Sequence, residues 1–232
     1  MHDLAERPSL RWGDLPLRVA SAAVLVPVAV GCIWLGGIVF HLLILAATVG
    51  LCAEACALHR GGHGGVLLLC AALVYVVIAA ASLLWLRTDP LAGLQNMLFL
   101  VLVVWSADIG AYLIGRLLGG PRLAPRLSPG KTWSGAAGGL LAAVAVGVAA
   151  AQIVAASTTP WRAAVLAGAL ALIAQGGDLL ESAVKRRLQI KDTSHLIPGH
   201  GGLFDRLDAI LAAAPAAALL ALALGRGVVL WR

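Results

Sequence analysis

Between Ser182 and Asp208 the chain reads SAVKRRLQIKDTSHLIPGHGGLFDRLD. Lys185, Arg186, Arg187, Lys191 and Arg206 stand there among Asp192, Asp205 and Asp208, with the flexible run Pro198-Gly199-His200-Gly201-Gly202 between them. Cations at this density suit phosphates, and clustered carboxylates suit a divalent metal. Asp178, Glu181, Ser182 and Lys185 follow one another at i, i+3, i+4 and i+7, which is one stripe of a helix. Asp205 and Asp208 are again three apart, at the start of a later apolar run. Two carboxylate pairs on facing helices could hold a pair of metal ions. The plain alternative is an ion pair at a helix end together with an N-cap at Asp205. It accounts for either pair taken alone but leaves the flanking cations without a use.

A second basic stretch, Arg116 to Gly135, ends in Ser128-Pro129-Gly130-Lys131-Thr132 just before an apolar run that starts near Trp133. Gly-Lys-Thr at a helix N-terminus offers backbone N–H groups, a helix dipole and an ammonium to a phosphate. Its spacing is not that of a P-loop, and a basic loop resting on anionic lipid heads is the bland reading. Two more acids, Glu54 and Asp108, fall inside apolar runs. An ionised carboxylate is costly in lipid, so each should face the bundle interior or a wet cavity. His59 and His63 flank a glycine-rich connector. The seven tryptophans mostly fall near the ends of apolar runs, as interfacial anchors do. Cys32, Cys52, Cys56 and Cys70 all lie in apolar runs, where small thiols pack, and imply no disulfide framework.

The elements that must position these groups are membrane helices. The 232 residues are 61% hydrophobic and 12% charged, too few polar residues to cover a soluble domain. Mean hydropathy is +0.94. The apolar runs are continuous and rich in Ala and Leu, without the alternation of barrel strands, so the pattern predicts an all-α polytopic bundle with no strands. Seven spans are expected, at roughly 17–36, 38–57, 66–86, 91–114, 133–156, 161–182 and 207–230, each near the ~20 residues a bilayer needs. Pro27 and Pro215 fall inside spans, and Gly135 and Gly139 would let helices approach closely. With the N-terminus inside, thirteen of the seventeen Lys and Arg lie on the inner side. The positive-inside rule favours that orientation and puts segments 115–132 and 183–206 in the cytoplasm together. The net charge of +6 is then a matter of topology and does not point to nucleic acid. Residues 1–16 read as a polar cytoplasmic segment without a cleavable signal. Residues 17–114 read as N-terminal membrane helices, and 115–232 as the region that carries the chemistry.

The segment S-x-x-K-R-x(4)-K-D-x(5)-P-G-H-G-G-x-x-D-R-x-D resembles the signature of the phosphatidate cytidylyltransferases, also called CDP-diacylglycerol synthases. Here it runs over Ser182, Lys185, Arg186, Lys191, Asp192, Pro198, Gly199, His200, Gly201, Gly202, Asp205, Arg206 and Asp208. Gly177-Asp178-Leu179-Leu180-Glu181-Ser182, Asp108-Ile109-Gly110-Ala111-Tyr112 and Ser128-Pro129-Gly130-Lys131-Thr132-Trp133 are similar to further parts of that family. Glu54 is a fainter echo. The resemblance implies the reaction CTP plus phosphatidate to CDP-diacylglycerol plus pyrophosphate, at the inner face of the cell membrane. It implies Mg²⁺, in a site of two divalent or mixed ions held by Asp178, Asp205, Asp208 and Asp108. It further implies that Lys131, Lys185, Arg186, Lys191 and Arg206 bind substrate phosphates. Lys185, Arg186, Asp192, His200 and Arg206 are the expected catalytic residues.

The chemistry is consistent with this. A lipid phosphate is already ionised at neutral pH, so no general base is required, and the pattern shows no Ser-His-Asp or Cys-His arrangement. Rival readings are a CTP-dependent enzyme acting on another lipid phosphate or lipid alcohol, and an ion-coupled transporter. A transporter of that kind would carry paired, interrupted helices in two repeated halves, and no such repeat is visible. The Ala- and Gly-rich helices would permit a homodimer.

Overall fold

Continuous apolar runs must satisfy their own backbone in lipid, and in this chain they do so as helices. The computed structural model describes residues 15–154, 160–194 and 201–232. Its helices are α1 (Leu15–Leu35), α2 (Gly37–Arg60), α3 (Val66–Arg87), α4 (Gly93–Leu118), α5 (Trp133–Val154), α6 (Pro160–Arg187) and α7 (Phe204–Leu224). Helices α2 to α7 are each long and apolar enough to cross a membrane. The 21-residue α1 makes the seventh helix of the expected all-α membrane bundle.

Four features depart from the sequence pattern. First, β1 (Arg122–Ala124) and β2 (Ser128–Thr132) pair antiparallel as a small hairpin where no strand is expected. Pro129 hides β2 in the sequence, but a two-stranded ribbon has only edges, where proline is tolerated. Second, α6 continues past residue 182 to Arg187. Its last turn holds Lys185, Arg186 and Arg187, cations that favour a helix C-terminus. Third, α7 starts three residues early and stops at Leu224, where Gly225 has φ 90. Fourth, the chain beyond Gly225 folds back onto the start of α4. Asn96 donates to Val228 O at 3.1 Å and accepts from Leu230 N at 2.8 Å. Trp231 is therefore buried and stacked on Phe99 at 4.7 Å between ring centroids, rather than lying at the interface.

The core that sets the site is the α4–α5–α6–α7 group, where small residues bring helices close. A Cβ at Gly135 would meet Ala111 O at 2.8 Å, and one at Gly139 would meet Ala107 O at 2.5 Å, so α5 lies against the backbone of α4. A Cβ at Gly177 would overlap Ala212 Cβ and come within 3.0 Å of Asp208 O, which brings α6 against α7 at the level of Asp208. The 61–65 turn, the hairpin and the segment after α6 share one end of the bundle. Gly64 faces Leu188, and Arg186 Nε donates to Leu127 O at 3.1 Å.

Candidate active site

Where α6 and α7 approach, Asp178, Glu181 and Asp208 bring one carboxylate oxygen each within 4.8 Å of one another. Asp178 and Glu181 share a face of α6, and Asp208 comes from the first turns of α7. The close approach at Gly177 lets the three meet. Glu181 Oε1 is 3.2 Å from Lys185 Nζ, one turn further along the same helix.

Asp205 has different partners. Its Oδ1 is 2.6 Å from Lys185 Nζ. Its Oδ2 accepts from Thr193 N at 3.0 Å, Thr193 Oγ1 at 3.0 Å and Gly202 N at 2.9 Å. Glu54, only 3% exposed and standing in the last third of the apolar α2, lies beside this group. Its Oε1 accepts from Leu203 N at 2.7 Å and from Ser194 Oγ, and its Oε2 accepts from Phe204 N at 3.1 Å. The opening N–H groups of α7 thus find their acceptor on another helix, which is why α7 begins earlier than its own sequence indicates. Between the two carboxylates Gly202 has no room for a side chain: a Cβ would collide with Thr193 Oγ1 and lie 3.0 Å from Glu54 Oε1 and 3.1 Å from Asp205 Oδ2.

The acid group opens into a cavity of about 790 Å³. Asp108, Arg116, Arg122, Lys131, Lys185 and Arg206 line it, together with Asp178, Glu181, Asp205 and Asp208. Lys131, at the end of the hairpin, pairs with Asp178 and so joins the two basic stretches in one site. Thr132 Oγ1 accepts from Gly135 N at 3.1 Å, which fixes the hairpin to the first turn of α5.

Of the residues singled out from sequence, the structure gathers Asp108, Lys131, Asp178, Lys185, Asp205, Arg206 and Asp208 around this cavity. Arg186 binds the hairpin backbone instead of lining the cavity. Lys191 and Asp192 are exposed and outside its lining. His200 lies outside the described residues. Glu181 takes the third place in the converging acid group, with Asp205 turned to Lys185 and the backbone of the preceding segment. Glu54, Arg116 and Arg122 were not among the expected site residues. For Glu54 the signal was available, since a carboxylate inside an apolar span needs a partner.

Residues 59–224 match the cytidylyltransferase family. The chain belongs to that family. Over 172 residues it is 48% identical to the phosphatidate cytidylyltransferase of Brucella suis, across 72% of this chain and 62% of that protein. It therefore spans less than two thirds of the length of that relative. Over 209 residues it is 36% identical to the phosphatidate cytidylyltransferase of Rickettsia bellii, across 87% of this chain and 88% of that one. With the protein of the same name from Mycobacterium leprae it shares 43% of 134 residues. The family match takes in every residue named as lining the cavity.

Proposed function

We propose that the protein is a phosphatidate cytidylyltransferase, joining CTP and phosphatidate to give CDP-diacylglycerol and pyrophosphate. The observation that carries this is the Asp178–Glu181–Asp208 group in a cavity ringed by Lys131, Lys185, Arg116, Arg122 and Arg206, in a chain of the cytidylyltransferase family. A phosphate oxygen of the lipid attacks the α-phosphorus of CTP, the α–β phosphoanhydride bond breaks, and pyrophosphate leaves. The attacking oxygen is already ionised at neutral pH, so no proton has to be removed.

The obstacle is bringing two polyanions together. Unit charges 4 Å apart repel by about 4 kcal/mol at an effective dielectric of 20. Lys131, Lys185, Arg116, Arg122 and Arg206 offset this from five elements, β2, α6, α4, β1 and α7. Three carboxylates with converging oxygens are a donor set suited to a hard divalent cation such as Mg²⁺, and Asp178, Glu181 and Asp208 would hold it. A cation bound there supplies charge neutralisation at the attacking and leaving oxygens. Asp205 keeps Lys185 in place by its 2.6 Å ion pair and at the same time fixes Thr193 and Gly202. The concentration of Lys and Arg at this end of the bundle supports a cytoplasmic site, with the protein in the cell membrane.

The test is turnover by the purified protein in detergent–phosphatidate micelles with CTP, with Mg²⁺ or with EDTA. Release of pyrophosphate with formation of CDP-diacylglycerol, abolished by EDTA, is the expected result. Absence of turnover by folded protein with both substrates and Mg²⁺ present would sink the proposal.

A further inference from the structure

Arg186 has the type and the place of a phosphate ligand, yet the bond it makes goes to protein. Its exposed side chain donates from Nε to Leu127 O at 3.1 Å, across 59 residues of chain. Leu127 closes the turn of the β1–β2 hairpin, where its N–H donates to Ala124 O at 3.1 Å. The hairpin forms one wall of the cavity of about 790 Å³, through Arg122, Leu123, Gly130, Lys131 and Thr132. Its position therefore decides where two of the cavity's cations, Arg122 and Lys131, stand.

The two ends of the hairpin are held differently. At the base, Trp133 N donates to Pro121 O at 3.1 Å, Ser134 Oγ donates to Gly119 O and Gly135 N donates to Thr132 Oγ1, which ties the strands to the start of α5. Towards α6 the backbones hardly meet, and side chains bridge the gap. One bridge joins Lys131 to Asp178 and the other joins Leu127 O to Arg186. These points are four residues apart on the hairpin, about 13 Å of extended chain, and eight apart on α6, about 12 Å of helix. The spans match, so β2 lies lengthwise along α6 with Arg186 fastening its far end. Asp178 belongs to the converging acid group, so its tie to Lys131 is open to competition from a cation or a phosphate. Arg186 stands outside the cavity lining, and its tie is open to neither.

We infer that Arg186 is a positioning residue: it holds the hairpin against α6 and so sets Lys131 and Arg122 for substrate phosphate, without touching a phosphate itself. This rests on the function proposed above and gives one cation of the basic run a part in it that its charge does not explain. What matters is the donor at Nε.

Three variants separate donor from charge. Glutamine carries its amide nitrogen on Cδ, where arginine carries Nε, so Arg186→Gln keeps the donor and drops the charge. Lysine has a methylene there, so Arg186→Lys keeps the charge and moves the donor. In detergent–phosphatidate micelles, kcat/KM for CTP should fall about tenfold in Arg186→Ala and in Arg186→Lys, near the upper end of what one hydrogen bond contributes, and at most about threefold in Arg186→Gln. Trypsin cleavage after Arg126, beside the held residue, reads the hairpin itself in detergent without substrate. It should quicken about tenfold in Arg186→Ala and Arg186→Lys but not in Arg186→Gln, because cleavage tracks the population of the open form. A phosphate ligand gives the opposite order, with Arg186→Lys ahead of Arg186→Gln, and unchanged cleavage; either result would overturn the inference. Faster cleavage with unaltered kcat/KM would overturn it too, because the hairpin's position would not matter to the reaction. Lack of turnover by the unaltered protein would count against the proposed reaction alone, since the cleavage comparison needs no substrate.

Discussion

Two buried acids at opposite ends of the bundle perform the same structural act in different company. Glu54, 3% exposed, accepts the N–H groups of Leu203 and Phe204 from nearly 150 residues along the chain. Asp89, 8% exposed, accepts from Gly227 N at 2.6 Å across 138 residues, and from Leu91 and Ala92 beside it, both at 2.9 Å. Each closes a distant segment onto the bundle by giving backbone donors an acceptor that lipid cannot supply. Around Asp89 the closure is completed by Asn96 and by the Phe99–Trp231 stack. Around Glu54 the segment it holds leads straight into Asp205 and Asp208, beside a basic cavity. The same hydrogen bonding that only completes the fold at one end sets the positions of charged groups at the other.

That contrast breaks most sharply in turnover. Asp208→Asn removes one of three converging carboxylates, and activity should fall by about 10³-fold, the order seen when a group stabilising transition-state charge is lost. The check is initial rates of CDP-diacylglycerol formation on protein whose melting temperature matches the unaltered chain. Near-normal turnover would detach the acid group from the chemistry and leave the two ends of the molecule alike.

A smaller effect separates Glu54 from Asp89 directly. Glu54→Gln and Asp89→Asn each put an amide NH₂ where a carboxylate oxygen accepted N–H donors. Each leaves at least one buried donor facing another, at a cost of about 1–3 kcal/mol. Both variants should therefore melt earlier. Only Glu54→Gln should lose kcat, by up to about 10²-fold, because a shift near 1 Å in Asp205 or Asp208 is enough to misplace reacting groups. Asp89→Asn should keep kcat per folded molecule within about twofold. Equal kcat losses in the two variants would show that the Glu54 network acts only on stability.

Much of this arrangement is legible in the chain. The spans, the stripe Asp178–Glu181–Lys185 and the joining of two basic stretches in one site follow from hydropathy, helical spacing and the positive-inside count. The i, i+3 spacing of Asp205 and Asp208 shows that they share a helix face, but not that Asp205 turns to Lys185 and the Thr193–Gly202 backbone while Asp208 turns to Glu181. Sequence spacing reports position on one helix. Which acid meets which helix depends on the approach at Gly177, a tertiary fact. The early start of α7 was hidden for a similar reason, since its capping acceptor is a side chain of α2. Trp231 misled because a tryptophan near the end of an apolar run reads as an interfacial anchor, and only the fold-back at Gly225 buries it.

The smallest expected effect is in pH, and it belongs to the end without chemistry. Burial by itself raises the Asp89 carboxyl, but the N–H groups of Ala92, Gly227 and Leu91 and the nearby Arg226 outweigh it and hold it below its ordinary value of 3.8. The ionised form is thus favoured by folding. Its stabilisation is fully present above the unfolded carboxylate's pKa and is lost as pH falls through the lower, folded one. Asp89→Asn should then melt earlier than the unaltered protein near neutral pH, with the gap narrowing as the medium is taken below that ordinary value. Thermal melting in detergent across an acid series measures it. A gap that stayed constant through the acid range would mean that Asp89 holds the chain end by shape and neutral hydrogen bonds alone. Its parallel with Glu54 would then extend only to the shared acceptor geometry.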